Sequence, residues 1–218
     1  AVFFPADNIQ EKEELAPFLS QLPIIRLSLL DEDEDKTVES FLRRIGVARL
    51  VASEFIKHHF IPKYQGKNDT TVEEDLALGR YLFRAFQRMP EDEWDEVTEK
   101  LSEVKWLLCS QASKPDTVDL RNAGEAYLGK RYTDDPGLED YFSASPDTWI
   151  VSEDYHETGE EWLTFLETLG CSSVPRKIED GHEIDGLKAI LIKLSGAEGE
   201  KCLHLARTIF DTLSASIP

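Results

Sequence analysis

Apolar positions recur at helical spacing through the first hundred residues and change to short apolar runs after Leu101. Asp7 to Leu19 reads as a short charged helix with Pro17 near its end or in a kink. Ile24, Ile25, Leu27, Leu29 and Leu30 form an apolar run with the look of a short strand. The block Asp31-Glu32-Asp33-Glu34-Asp35 is too charged to pack and is expected as a solvated loop, its acids favouring the N-terminus of a helix from about Thr37. That helix places Val38, Phe41, Leu42 and Ile45 on one stripe, so Phe41 and Ile45 are expected buried. Gly46 closes it in a left-handed conformation.

A helix from about Ser53 carries Phe55, Ile56, His59 and Phe60 and is expected to stop before Pro62. After the polar stretch Gln65 to Thr71, either Thr70 with Glu73 or Thr71 with Glu74 makes a capping box. Val72, Leu76, Gly79, Leu82, Phe83 and Phe86 follow on one helical stripe. Pro90 opens another helix, with Trp94, Val97 and Leu101 inward and acids outward. Beyond it, Val104 to Cys109, Ala126 to Leu128 and Trp149 to Val151 read as strands, and Ser113 to Asp119 as a turn. Asp135-Pro136-Gly137 leads into a short helix through Leu138, Tyr141 and Phe142. Thr158 with Glu161 caps a helix bearing Trp162, Phe165, Leu166 and Leu169, closed by Gly170. Two more helices are expected, around Leu187 to Leu194 and through Cys202 to Leu213.

The fold class is therefore α+β, predominantly helical, with a few short strands in the second half. Residues 1–103 form a helical region and residues 104–218 a mixed one, with no low-complexity linker between them, so one continuous unit is equally compatible. Phe41-Leu42-Arg43-Arg44-Ile45-Gly46 and Phe165-Leu166-Glu167-Thr168-Leu169-Gly170 echo each other. Two copies are too few for a solenoid, and Phe-Leu-x-x-Leu-Gly is also a common way to end a helix.

With 218 residues, 41% hydrophobic and 10% aromatic, the chain has enough apolar material for a real core. Its 43 acidic against 24 basic residues give a net charge of −19, which opposes duplex or membrane partners and favours solubility. Cys109, Cys171 and Cys202 are sparse, odd in number and set among apolar neighbours, fitting buried thiols in a reducing, cytoplasmic setting. No apolar run approaches the ~20 residues of a membrane span. The start, Ala1-Val2-Phe3-Phe4-Pro5, lacks Met and reads as cut from a longer chain.

Compact catalytic signatures do not occur: neither GxxxxGK[ST] nor GxGxxG, no GxSxG, no HExxH and no kinase set. No catalytic residue, cofactor or metal is therefore expected. Glu54 and His58 share a helix face and would need a third ligand to hold a metal. His156 with Glu160 is a weaker pair, and Cys202 with His204 diverge on a helix. Arg43, Arg44, Lys57 and Lys63, with Arg49, form the densest basic neighbourhood and are the candidate interaction residues. An acidic partner accounts for them, and so does local charge balance.

Several stretches, in order, resemble a known family. Phe41-Leu42-Arg43-Arg44-Ile45-Gly46-Val47 and Phe55 to Tyr64 are followed by Trp106-Leu107-Leu108, Glu125-Ala126-Tyr127-Leu128-Gly129 and Leu138-Glu139-Asp140-Tyr141-Phe142. Val151-Ser152-Glu153-Asp154-Tyr155 and Glu161 to Leu166 complete the set. Over roughly residues 38 to 171 this is similar to the region downstream of the Bergerat-type (GHKL) ATPase domain in large sacsin-like, chaperone-like proteins. Cys171 stands where the pattern usually has a valine. The resemblance implies a non-catalytic helical scaffold whose partner is protein, either the neighbouring ATPase domain or a client. It carries no catalytic residue to any position, because none of that family's ATP-site motifs is recognisable. The alternative is an acidic protein that mimics nucleic acid and occupies a nucleic-acid-binding enzyme. A metal-dependent hydrolase starting from Glu54 and His58 comes third.

Overall fold

The computed structural model describes residues 2–6, 9–25, 32–66, 70–133, 137–143, 145, 147–155, 159–176 and 207. Leu27, Leu29 and Leu30, the turn at Asp135 and Pro136, the Thr158 cap, His156, His204, Cys202 and the two C-terminal helices lie outside these residues. Helix outweighs strand, giving a mixed α+β fold with a helical majority. Contacts divide the chain into two units, Ala1–Asn68 with Arg84–Lys100, and Asp69–Phe83 with Leu101–Pro218.

The first unit is built from helices around a two-residue parallel ladder. β1 (Phe3–Phe4) pairs with β2 (Ala48–Arg49), and Phe3 also bridges Ile24. Both phenylalanines are buried, so a strand of minimal length is held by its side chains as much as by its hydrogen bonds. The apolar run from Ile24 is the one strand expected in this region, and Ile24 does bridge Phe3. β1 and β2 were not expected, because two-residue segments carry no periodicity by which to recognise them. α1 (Ile9–Leu15) runs into a 3-10 turn (Ala16–Gln21) with Pro17 near its start, where the missing N–H costs nothing.

α2 (Glu32–Arg44) begins inside the acidic block rather than near Thr37, a correction to the expected loop. Carboxylates favour the positive end of a helix dipole, so a run of acids suits a helix start as well as a loop. α3 (Ala52–Phe55) also departs from expectation. It continues through a π-turn (Ile56–Phe60) into α4 (Ile61–Gln65), carrying the helix past Pro62. The Ile61 N–H donates to the Ile56 carbonyl, five residues back. A widened turn gives room to a proline ring that would otherwise press on the carbonyl four residues earlier. Phe55, Ile56, Phe60 and Tyr64 are buried along this composite helix, with Phe18 against Phe55 at 5.5 Å between ring centroids.

The reciprocal capping box that opens α5 (Val72–Phe86) is the Thr71–Glu74 one. The Glu74 N–H donates to Thr71 Oγ1 at 3.2 Å and the Thr71 N–H to the Glu74 carboxylate at 3.3 Å. Leu78, Leu82 and Phe83 are buried, whereas Val72, expected on the inward stripe, is exposed in the first turn. α6 (Glu91–Leu101) starts after Pro90 as expected, with Trp94, Val97 and Leu101 buried and its acids outward. Trp94 meets Phe86 edge-on at 4.9 Å.

The second unit holds a four-stranded sheet in the order β4-β3-β6-β5. Its strands are β3 (Leu107–Gln111), β4 (Lys114–Arg121), β5 (Ala126–Tyr127) and β6 (Trp149–Val151). β4 was expected as a turn. The reversal is confined to Ala112-Ser113, and the residues that follow form an exposed edge strand. Pro115, Asp116 and Asp119 suit an edge, where proline and charge discourage further pairing. α7 (Gly137–Phe142) and α8 (Gly159–Thr168) fall where the sequence places them. Phe83, Trp162 and Phe165 pack together, Phe83 stacked on Trp162 at 4.3 Å. Tyr155 is fully buried and its hydroxyl accepts the Leu108 N–H at 2.9 Å.

Candidate interaction surface

α2 has Arg43 and Arg44 in its last turn, where positive charge matches the negative end of the helix dipole. A Schellman cap closes it. Gly46, at φ 94°, donates its N–H to the Arg43 carbonyl at 3.1 Å, and Val47 donates to Leu42 at 3.0 Å. Gly170, at φ 98°, ends α8 with the same pair of bonds, to Glu167 at 2.9 Å and from Cys171 to Leu166 at 3.0 Å.

The two endings differ in what they bury. Phe165 and Leu169 are 0% and 4% exposed, as expected, whereas Phe41 and Ile45 are 59% and 61% exposed, against expectation. Among the described side chains of α2, Val38, Glu39 and Leu42 are half-buried. The inward face is thus rotated toward Glu39, and the other edge of the apolar stripe turns out to solvent. The reason lies in Arg43. It donates to Glu39 at 2.9 Å and 2.6 Å and lies over the Phe4 ring at 5.5 Å, and Arg49 joins the same carboxylate at 2.8 Å. These bonds, Arg43 first, hold the Glu39 carboxyl below its usual range.

Arg44 lies on the other side, beside Phe41. A shallow depression of about 400 Å³ is lined by Thr37, Ser40, Phe41 and Arg44. Arg44, one of the four basic residues singled out in the sequence, adjoins the exposed Phe41. Arg43 is engaged within the fold. Lys57, on the π-turn, pairs with Glu96 at 2.6 Å, and Lys100 reaches the same carboxylate at 2.9 Å. Lys63 lies half-buried on α4.

Other candidate chemistry is sparse. His58 approaches Glu54 at 3.4 Å, and among the described residues no three His, Cys, Asp or Glu side chains converge as metal ligands would. His59 packs on Phe55 at 5.1 Å; burial, with Lys63 nearby, lowers its pKa. Cys109 and Cys171 are buried, and burial pushes both thiols up, Cys171 to about 12. Among the described residues no helix is long and apolar enough to cross a membrane.

No family model matches the chain, and neither the curated proteins nor the solved structures provide a match.

Proposed function

We propose that the chain is a non-catalytic interaction segment of a larger, sacsin-like and chaperone-like cytoplasmic protein, docking another protein through the outer face of α2. The partner is the neighbouring ATPase domain or a client, and no nucleic acid or membrane is involved. The observation that carries the reading is the exposure of Phe41 and Ile45, four residues apart on one helix face, beside Arg44. Fully burying such side chains stabilises a complex by about 1.5–3 kcal/mol each. An apolar helix face with an arginine at its margin is the kind of surface that an amphipathic groove takes up. The family resemblance supports the scaffold role.

The test places a photo-crosslinking benzophenone side chain at position 41 of the full-length parent protein. Cross-links mapped by mass spectrometry are expected on one defined surface of the ATPase domain or of a client. They should vanish when Ile45 and Arg44 are both replaced by Ser. A benzophenone that forms no protein cross-link, in a protein that still performs its cellular task, would sink the reading.

A further inference from the structure

A cavity of about 500 Å³ opens on one face of the four-stranded sheet. It lies wholly within the second unit. Its floor follows from the register. Ser110 of β3 stands opposite Val118 of β4 and Ile150 of β6, and Ile150 stands opposite Tyr127 of β5. The four side chains form one row across the sheet. At the Tyr127 end, α7 covers the row: Tyr127 packs with Leu138, Tyr141 and Phe142, the ring of Phe142 at 4.5 Å. Toward the other end the cover stops, and Val118 is left 48% exposed.

Three of the stretches that stand out in the sequence meet around this opening. Tyr-Leu-Gly ends in Gly129, Leu-Glu-Asp-Tyr-Phe supplies Glu139, and Val-Ser-Glu-Asp-Tyr supplies Ser152, Glu153 and Asp154. The glycine is there for space. A Cβ at position 129 would lie 2.5 Å from Glu139 Oε1 and 3.0 Å from the Ile150 side chain. Without one, the Glu139 carboxylate seats at the wall, accepts the Lys130 N–H at 2.9 Å and faces Lys130 Nζ at 3.6 Å. Glu139 and Lys130 offset each other, so Glu153 and Asp154 carry the net charge of the lining. Asp154 is oriented by Ser152, whose hydroxyl donates to it at 3.2 Å and accepts its N–H at 3.3 Å.

A largely apolar floor, with Val118 and Ile150 on either side of Ser110, and with Glu153 and Asp154 in the lining, fits a cation on an aliphatic stem. The volume falls within the roughly 300–1,000 Å³ usual for sites that enclose a small group. Carboxylates take up guanidinium or ammonium groups by charge-assisted hydrogen bonds, and the −19 charge of the chain raises the local concentration of cations. We propose that this cavity binds a cationic group on an aliphatic stem, the stem over Val118, Ser110 and Ile150 and the charge against Glu153 and Asp154. An arginine or lysine side chain of a partner protein has this chemistry, and so does a free polyamine.

The test follows backbone amide shifts of the whole chain by NMR. Titrants are the blocked tripeptide Ala-Arg-Ala, its norleucine and glutamate counterparts, and spermidine. A cationic probe should give saturable shifts centred on Ser110, Val118 and Ile150, about fivefold or more tighter than norleucine, with none from the glutamate peptide. Preference for the arginine peptide assigns the site to a protein side chain; preference for spermidine assigns it to a free amine. Glu153→Gln with Asp154→Asn should weaken the preferred probe at least about tenfold, and Val118→Trp should block it. All three positions are exposed, and unchanged melting temperatures confirm that the fold is retained. Equal binding of norleucine, shifts spread over the acidic surface at large, indifference to both variants, or no saturable shift with any cation would each overturn the proposal.

Discussion

Phe41 and Phe165 occupy the same position in two helix endings closed by the same pair of backbone hydrogen bonds, yet one faces solvent and the other is wholly buried. The local sequence dictates the cap; the surroundings decide which way the phenylalanine points.

A first prediction concerns stability. Phe165→Ala removes a ring packed against Phe83 and Trp162 and should cost about 3–5 kcal/mol. Phe41→Ser should change stability by about 0.5 kcal/mol or less, as exposed substitutions do. Urea denaturation of the two variants checks the contrast. A Phe41→Ser penalty as large as that of Phe165→Ala would mean that the residue is buried in solution.

The caps give a second. Gly46 and Gly170 both have positive φ, where a side chain is strained whatever the room around it. A Cβ at Gly46 meets nothing within 4 Å, so Gly46→Ala isolates backbone strain and should cost about 1 kcal/mol. Valine, with its branched Cβ, should cost more at either glycine. Thermal melts that leave all three variants at the wild-type midpoint would remove the cap reading.

Gly79 sits mid-helix, where alanine is normally favoured by about 1 kcal/mol. Here the added Cβ would lie 2.3 Å from the Tyr155 ring, and that ring is anchored by the Leu108 N–H. Gly79→Ala should therefore destabilise, by about 1–3 kcal/mol of overpacking. Adding Tyr155→Phe should recover little, since the ring remains. A stabilised Gly79→Ala protein, measured by calorimetry, would show that Tyr155 yields without cost.

Glu96 provides the pH dependence. Hydrogen bonds from Lys57 and then Lys100 hold its carboxyl down to about 2, against an ordinary 4.5. A depressed carboxyl contributes stability that is present above its unfolded value and lost as pH falls through its folded one. The loss should fall between pH 4.5 and about 2. Glu96→Gln should lower stability at neutral pH and flatten the acid limb in that window, the two proteins converging as pH falls to about 2. Because the site is exposed, added salt should shrink the difference. A variant whose acid limb overlays that of the wild type would contradict the pairing.

Thiol chemistry yields the last. Burial raises both Cys109 and Cys171, so little thiolate forms near neutrality and no reagent reaches it. Site-resolved iodoacetamide labelling of native protein at pH 8 should leave both unmodified, and urea should expose both together with the global transition. Rapid labelling of either in the native state would show that its part of the core opens locally.

Elements with a strong local signature were legible in the sequence: the Thr71–Glu74 box, the stripe of α6, the apolar run of β3 and the two glycine endings. What escaped was set by tertiary context. β1 is two residues long, and β4 carries proline and charge because it lies at an edge. The candidate surface escaped for a similar reason. Phe41 and Ile45 are apolar at helical spacing, and that pattern does not reveal which edge of a stripe a neighbouring ring and carboxylate will claim. Glu39 and Arg43, four residues apart beside the stripe, were the available hint. The sheet cavity left no pattern, since its walls come from segments far apart in the chain.

The π-turn at Ile56–Phe60 fixes a rotational phase. One added residue within a helix turns everything beyond it by about 100°, so α4 presents a different face than an unbroken helix would. Tyr64 is buried with that offset in place, its ring 4.8 Å from Phe60. The wide turn thus works like an inserted letter whose reading frame the following helix has adopted. A chain shortened by one residue there would gain a regular helix and swing Tyr64 out of register with its own core.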